Sequence, residues 1–397
     1  MHITTPEAIG FSSERLARIV PAMQRYVDDK KLAGIVTLIA RRGQVAHFEK
    51  VGWADIENNR PIQLDTIFRI YSMTKPITSV AVLILLEEGR LHIGDPVSRF
   101  IPAFKNVKVL DNSTGSGVRY IAPNREINLR DLLTHTAGLS YGMEENVYID
   151  ELYRTAWAEM DKNPELTLEE FISAIAKFPL ASQPGTAFRY SVATDVLGYL
   201  VQVVSGMPFE DFLKRRIFDP LGMADTAFYV LADKLDRFCA NYGPNEQGGL
   251  KVIDPVNSLQ YTRPPKCPSG GGGLVSTATD YWRFAQMLLN GGELDGARLL
   301  GRKTVEFMLA NHLPPHLHPF DEAAYGFGLG GNVLLDLGKS PMLGSVGAFG
   351  WGGAANTNFW IDPHEQLIGV LMLQFMPSDT YPVKFDFRNL TYQALVA

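Results

Sequence analysis

The sequence predicts an α/β (α+β) protein. Its core is an antiparallel β-sheet flanked by N- and C-terminal helices, and a mostly helical domain is inserted between the two halves of that sheet. Three observations carry this. Strand-like runs of β-branched and apolar residues lie near both ends of the chain, at 35–40 and 45–51, then at 346–351, 356–361 and 367–374. Each end also carries a helical pattern outside its strands. Between them the apolar spacing is helical rather than alternating. The domains expected are therefore 1–84 with 325–397 as one discontinuous sheet domain, and 85–324 as the helical one. Parts of the second, near 190–225 and 270–300, are expected to pack with the sheet, and the active site to lie between the two.

In chain order, Ser12-Ser13-Glu14 opens a helix carrying Leu16, Ile19, Val20, Met23 and Tyr26. Arg41-Arg42-Gly43-Gln44 turns the first strand into the second as a hairpin. The run 77–86 is a buried helix. Ile77, Val80, Ala81, Ile84 and Leu85 recur at one helical face, and Val82, Leu83 and Leu86 fill the others, so the helix is apolar all round and stops near Gly89. Asp95-Pro96 and Ile101-Pro102 mark turns, and 111–116 reads as a polar Gly/Ser loop. A short helix over 127–135 ends at Thr136-Ala137-Gly138, and Thr167-Leu168-Glu169-Glu170 is a capping box for the next one. An apolar helix follows at 192–204 and an amphipathic one at 208–218, the second closed by Asp219-Pro220. Residues 227–268 read as irregular; Ser269 to Gly273 is the most glycine-dense stretch and leads into a helix over 281–289. With no strand–loop–Lys arrangement around them, these glycines point to close backbone packing rather than a phosphate cradle. Asp362-Pro363-His364-Glu365 is the last turn, and a final helix runs from about 383 to 396.

Bulk composition excludes several classes. The chain has 397 residues, 46% hydrophobic and 20% charged, with a net charge of −6 and no basic block. Nucleic acid and anionic membranes are therefore not expected as partners. Cys239 and Cys267 are too few for a disulfide framework, show no metal-ligand spacing, and read as reduced thiols. Residues 1–15 lack the pattern of a signal peptide, and the longest apolar run, 80–86, is far short of the ~20 residues that span a bilayer. The expected location is cytoplasmic, with no metal and no cofactor. Oligomeric state is not legible.

The chemistry centres on Tyr71-Ser72-Met73-Thr74-Lys75-Pro76. Ser72 and Lys75 are three apart and share a helix face, so the amine stands beside the hydroxyl. Pro76 fits only the first turn, where its missing N–H has no intrahelical partner; this puts Ser72 at the positive end of a buried helix. There the macrodipole favours an alkoxide over a hydroxyl and a neutral amine over an ammonium. An alternative reading of S-x-x-K is a plain N-cap beside a solvated lysine, but a solvated lysine does not normally lead a helix that is apolar on every side. A nearby tyrosine would assist, and Tyr190, in a glycine-containing turn just before a helix, is the candidate.

Further segments join it in a recognisable order: Leu132-Leu133-Thr134-His135-Thr136-Ala137-Gly138-Leu139, Tyr190-Ser191-Val192, Ser269 to Thr277, and Gly350-Trp351-Gly352-Gly353. Across essentially its whole length the chain resembles the family VIII carboxylesterases, which share the β-lactamase/transpeptidase-like fold of class C β-lactamases and penicillin-binding proteins. The resemblance implies Ser72 as nucleophile, Lys75 as the base assisting it and Tyr190 as proton shuttle. It also implies an oxyanion hole from the backbone N–H groups of Ser72 and Ala354, and a pocket lined by Tyr71, Val192, Trp351, Gly352 and Gly353. Val192 stands where the lactamases have Asn, and Trp351-Gly352-Gly353 where they have Lys-Thr-Gly. Losing those polar contacts implies an uncharged, small, short-acyl ester as substrate, hydrolysed through an acyl-enzyme. The alternatives are a β-lactamase or D-alanyl peptidase, an acyltransferase to a small hydroxyl acceptor, and a sensor that acylates once and stalls.

Two decoys need weighing. Gly138-Leu139-Ser140-Tyr141-Gly142 matches G-x-S-x-G, but that motif works on a strand-to-helix turn, and here it follows a helix-like segment. His316-x-His318 lacks both a helical spacing and a third ligand, so a solvated loop is expected; His135 reads as a buried structural histidine.

Overall fold

The computed structural model describes residues 3–111, 118–145, 147–160, 162–163 and 165–397. Of the expected polar loop at 111–116, all but Asp111 lies outside them.

The elements that position the site are few. Helix α1 is Ile19–Asp28; strands β1 and β2 are Gly34–Arg41 and Gln44–Asp55, and the short β3 is Arg60–Pro61. Helix α2 is Thr74–Glu87, α3 Ala193–Ser205 and α4 Ala278–Leu289. Strands β4 to β8 are Tyr325–Phe327, Asn332–Leu334, Phe349–Gly352, Asn358–Asp362 and Leu367–Leu373, and α5 is Val383–Tyr392. One antiparallel sheet of eight strands results, in the order β4-β5-β6-β7-β8-β1-β2-β3. The chain's two ends meet at its middle, where Ile35 pairs with Leu373 and Arg41 with Leu367.

Every residue of β1 is buried, because the strand is covered on both sides. Ile35 and Ile39 face Ile19, Met23 and Phe387 of the terminal helices, while Val36, Leu38 and Ala40 face the main core around α2. This is the period-two alternation with both faces apolar. At ~1.5–3 kcal/mol for each fully buried large aliphatic side chain, the pairing of β1 with β8 is the main tie between the ends. Helix α2 is buried without interruption from Thr74 to Leu85, as its all-round apolar pattern requires, and Gly89 leaves it with φ +69°.

The glycine-dense stretch lets backbones touch. A Cβ on Gly270 would lie 2.7 Å from the Thr194 carbonyl oxygen, and one on Gly271 2.5 Å from the Asp195 carboxylate. This stretch therefore lies against the first turn of α3 and can feed α4, capped by Thr277, onto the sheet.

Four expectations are corrected. The first helix is two pieces, Ser13–Leu16 and Ile19–Asp28. The helix expected at 208–218 is Phe209–Leu213 followed by a wide turn at Lys214–Phe218 and a last turn at Asp219–Leu221, because Pro220 has no N–H to continue an ordinary ladder. The 227–268 stretch contains a hairpin, Asn241–Pro244 with Leu250–Asp254, whose bulged register hides the alternation. Helix α5 stops at Tyr392, and the residues after it return to the N-terminal segment, Val396 N–H donating to the Gly10 carbonyl at 3.0 Å.

Candidate active site

Ser72 sits in a tight turn, Tyr71–Met73, that runs directly into α2. The turn is anchored from behind. Arg69 is fully buried, ion-paired to Asp254 at 2.7 Å, and lies over the rings of Phe238 and Tyr261 at 4.1 and 4.9 Å. Phe68–Arg69 pairs with Val275–Ser276, which ties the turn to the glycine-dense stretch. Tyr71 holds φ +42°, an uncommon conformation for a bulky residue, and its hydroxyl accepts from the Asn241 side-chain amide at 3.1 Å.

Lys75 is completely buried, and its Nζ lies within hydrogen-bond distance of three oxygens: the Gly271 carbonyl at 2.7 Å, the Tyr141 hydroxyl at 3.1 Å and Ser72 Oγ at 3.2 Å. The structure thus brings Ser72 and Lys75 together across one helical turn. Although it precedes a proline, Lys75 keeps helical geometry within α2. Tyr190 meets the lysine with its face, Nζ lying 4.5 Å from the ring centre. Its hydroxyl accepts from Trp351 Nε1 at 3.3 Å; among the described residues it makes no hydrogen bond to Ser72 or Lys75.

The hydroxyl that does bond Lys75 belongs to Tyr141, which sequence reasoning passed over as part of a decoy motif. Its partner Asp195, on the first turn of α3, was missed as well. Asp195 accepts from Ser269 Oγ at 2.5 Å, from the Gly271 N–H at 3.0 Å and from the Tyr141 hydroxyl at 3.5 Å. Burial first, then the Asp195 charge, pushes the Tyr141 phenol well above the ordinary tyrosine range, so it stays a neutral hydroxyl between a cation and an anion. The available signal was spacing: Asp195 follows Tyr190 by five residues and faces the glycines that the sequence had marked for close packing.

His135 is a supporting group. Burial, reinforced by the Lys75 charge, holds its imidazole well below the usual histidine range, so it is neutral. Its Nδ1 accepts from the Ser191 N–H at 3.3 Å, and its ring centre lies 4.7 Å from that of Tyr190. Phe188, Phe327, Trp351 and the buried Val192 continue this apolar wall. On the opposite side, Gly353 backs onto the Ser72 turn so closely that a Cβ would fall 2.4 Å from the Ile70 carbonyl oxygen. Ala354 follows directly, its N–H bonded to no acceptor among the described residues.

The decoys are otherwise employed. Ser140 Oγ donates to Asp150 at 2.5 Å and accepts from the Gly142 N–H at 3.1 Å, and Asp150 is held in turn by Arg189 at 2.7 Å. His318 bonds the Tyr325 carbonyl at 3.0 Å while His316 is exposed. Cys239 and Cys267 are free thiols, both pushed up to about 12 chiefly by burial. No helix among the described residues is long and apolar enough to cross a membrane.

Comparison with known proteins agrees with this architecture. Protein Rv1367c of Mycobacterium tuberculosis (strain H37Rv) is 37% identical over 365 residues, covering 90% of this chain and 89% of that protein. Esterase EstB of Burkholderia gladioli is 28% identical, covering 90% of each. Among solved structures, that of "EstCE1, a hydrolase with promiscuous acyltransferase activity" superposes with a TM-score of 0.79 at 27% identity, over 96% of this chain and 99% of that one. The model of the family described as Beta-lactamase matches residues 19–393. With a serine and a lysine in contact at the head of its buried helix, this chain belongs to the beta-lactamase family and is a serine hydrolase.

Proposed function

We propose that the protein is a carboxylesterase acting on small, uncharged esters through an acyl-enzyme on Ser72, in a cleft between a sheet domain (1–84 and 325–397) and a helical one (85–324). The observation that carries this is the contact of Lys75 Nζ with Ser72 Oγ at 3.2 Å, beneath a wall of Tyr190, Val192 and Trp351 that offers no cation to a substrate carboxylate. Ser72 attacks the ester carbonyl as its proton passes to Lys75, which takes it as a neutral amine, and Tyr190, whose ring lies over that amine, relays it toward the leaving alcohol. The N–H groups of Ser72 and Ala354 hold the oxyanion, the alcohol leaves with the transferred proton, and water activated by the same pair releases the acid. The similarity to EstB supports the ester as substrate. EstCE1, a hydrolase with promiscuous acyltransferase activity, favours a second reading in which a small alcohol replaces the water.

The test is a set of three measurements. On p-nitrophenyl butyrate, Ser72→Ala is expected to lose at least ~10³-fold in kcat, whereas Ser140→Ala, whose hydroxyl is spent on Asp150, retains most of it if folded. A chromogenic cephalosporin turned over faster than the ester would reverse the ranking. Product diverted to butyrate esters by millimolar alcohol would establish the transferase reading.

A further inference from the structure

Among the described residues, three ring-bearing side chains sit on backbones with positive φ: Tyr71, His135 and Phe320, at +42°, +55° and +54°. The others that do so, glycine aside, are Asn, Asp, Gln, Lys or Arg, the types that close surface turns. Tyr71 adjoins Ser72, and His135 packs on Tyr190. Phe320 belongs to the same group. Its ring centre lies 5.8 Å from that of Tyr190, 5.5 Å from Phe188 and 6.2 Å from Trp351, nearly parallel to the last at 20°. Yet Phe320 is 58% exposed.

A phenylalanine has little reason to be there on stability grounds alone. The left-handed conformation costs a phenylalanine roughly 1–2 kcal/mol, whereas Asp321 beside it, also left-handed at φ +60°, is of a type that tolerates it. The ring recovers only part of its burial. Glycine would fit the backbone without cost and asparagine nearly so. Strain kept where burial does not repay it points to use of the exposed surface. That surface is continuous, through Trp351 and Tyr190, with the reacting groups.

We infer that Phe320 is a specificity-determining residue, the outer edge of an aromatic subsite that receives a flat, uncharged apolar group of the ester. This deepens the esterase reading and rests on it. Three features set the class of group. The exposed face is a ring, so an aryl group can stack or pack edge-on against it. The neighbouring wall is aromatic or aliphatic. The next two residues, Asp321 and Glu322, are exposed acids, which disfavour an anionic group at the mouth.

The experiment compares Phe320→Gly, Phe320→Tyr and the unaltered enzyme on ethyl acetate, benzyl acetate and methyl phenylacetate. The two aryl esters place the ring on the alcohol and the acyl side respectively. Glycine suits the left-handed turn, so its melting temperature is expected to equal or exceed that of the unaltered protein. Its kcat/KM is expected to fall about tenfold on at least one aryl ester, through KM, and to stay within twofold on ethyl acetate. Phe320→Tyr, which keeps the ring, is expected to restore the aryl preference. An equal fall on all three esters, no fall on either aryl ester, or a lowered melting temperature in Phe320→Gly would overturn the inference. Titration with N-benzylacetamide and N-methyl-2-phenylacetamide, the amide isosteres of benzyl acetate and methyl phenylacetate, reads the same contact without turnover. Equal affinities of Phe320→Gly and the unaltered protein for both amides would overturn the subsite even if none of the esters were hydrolysed.

Discussion

The smallest unit of the site is one lysine nitrogen with three oxygens around it, and each oxygen has a different task. The Gly271 carbonyl fixes the lysine's position, Ser72 Oγ is the group it serves in the proposed mechanism, and the Tyr141 hydroxyl links it to Asp195. Removing the last of these leaves the reacting pair intact but loosens its aim. A hydrogen bond to a charged group contributes about 1.5–3 kcal/mol. Tyr141→Phe is therefore expected to lower kcat by about 10- to 100-fold while KM for p-nitrophenyl butyrate changes less than twofold. A loss confined to KM would show that Tyr141 contacts substrate instead. The sequence made Ser72 and Lys75 legible because they are three residues apart on one helix. Tyr141 was not legible, because 66 residues separate it from Lys75 and its motif pointed to a different chemistry.

At the scale of elements, the site is a junction of three backbones that must approach closely: the turn before α2, the glycine-dense stretch, and the end of β6. Glycines make the approach possible. Gly353 is the tightest, with Ile70 O and Thr357 Oγ1 at 2.4 and 2.3 Å from a would-be Cβ, whereas at Gly352 the nearest atoms stand at 3.2 Å. Overpacking of this kind costs about 1–3 kcal/mol. Gly353→Ala should therefore lower the melting temperature by several degrees and kcat/KM by at least about tenfold, with Gly352→Ala milder in both; equal effects would mean that the approach to Ile70 is not the constraint. Strands with two buried faces, β1 and β8, could be read from their continuous apolar runs. The edge strand β4 and its neighbour β5 could not, since three residues each carry too little pattern.

Across the whole molecule, buried titratable groups set how stability answers to pH. The His47 imidazole, bonded to Thr37 and lowered by burial to about 4, and His135, held well below the usual range by burial, are both neutral in the fold and take up protons on unfolding below their ordinary value of 6.5. Asp280 works oppositely: burial raises its carboxyl from 3.8 to about 6, so the folded state holds its proton over that interval. With both imidazoles opposing the one carboxyl, stability is expected to fall as pH drops from 6 to 4, read as a declining urea midpoint. His47→Gln should flatten the slope, and an unchanged slope would remove His47 from the explanation.

The pairing of β1 with β8 has a consequence for how the protein is made. The residues joined at the centre of the sheet, such as Val36 and Met372, are separated by the whole of the helical middle. While a ribosome is still translating the helical middle, β1 has only its hairpin partner β2, and one of its edges waits bare for a strand not yet synthesised. Helices α2 and α3 can pack meanwhile, but Ser72 gains its β6 neighbour only after the helical middle has been made. A nascent chain that stops short of β6 is therefore a folded half-site without hydrolytic competence.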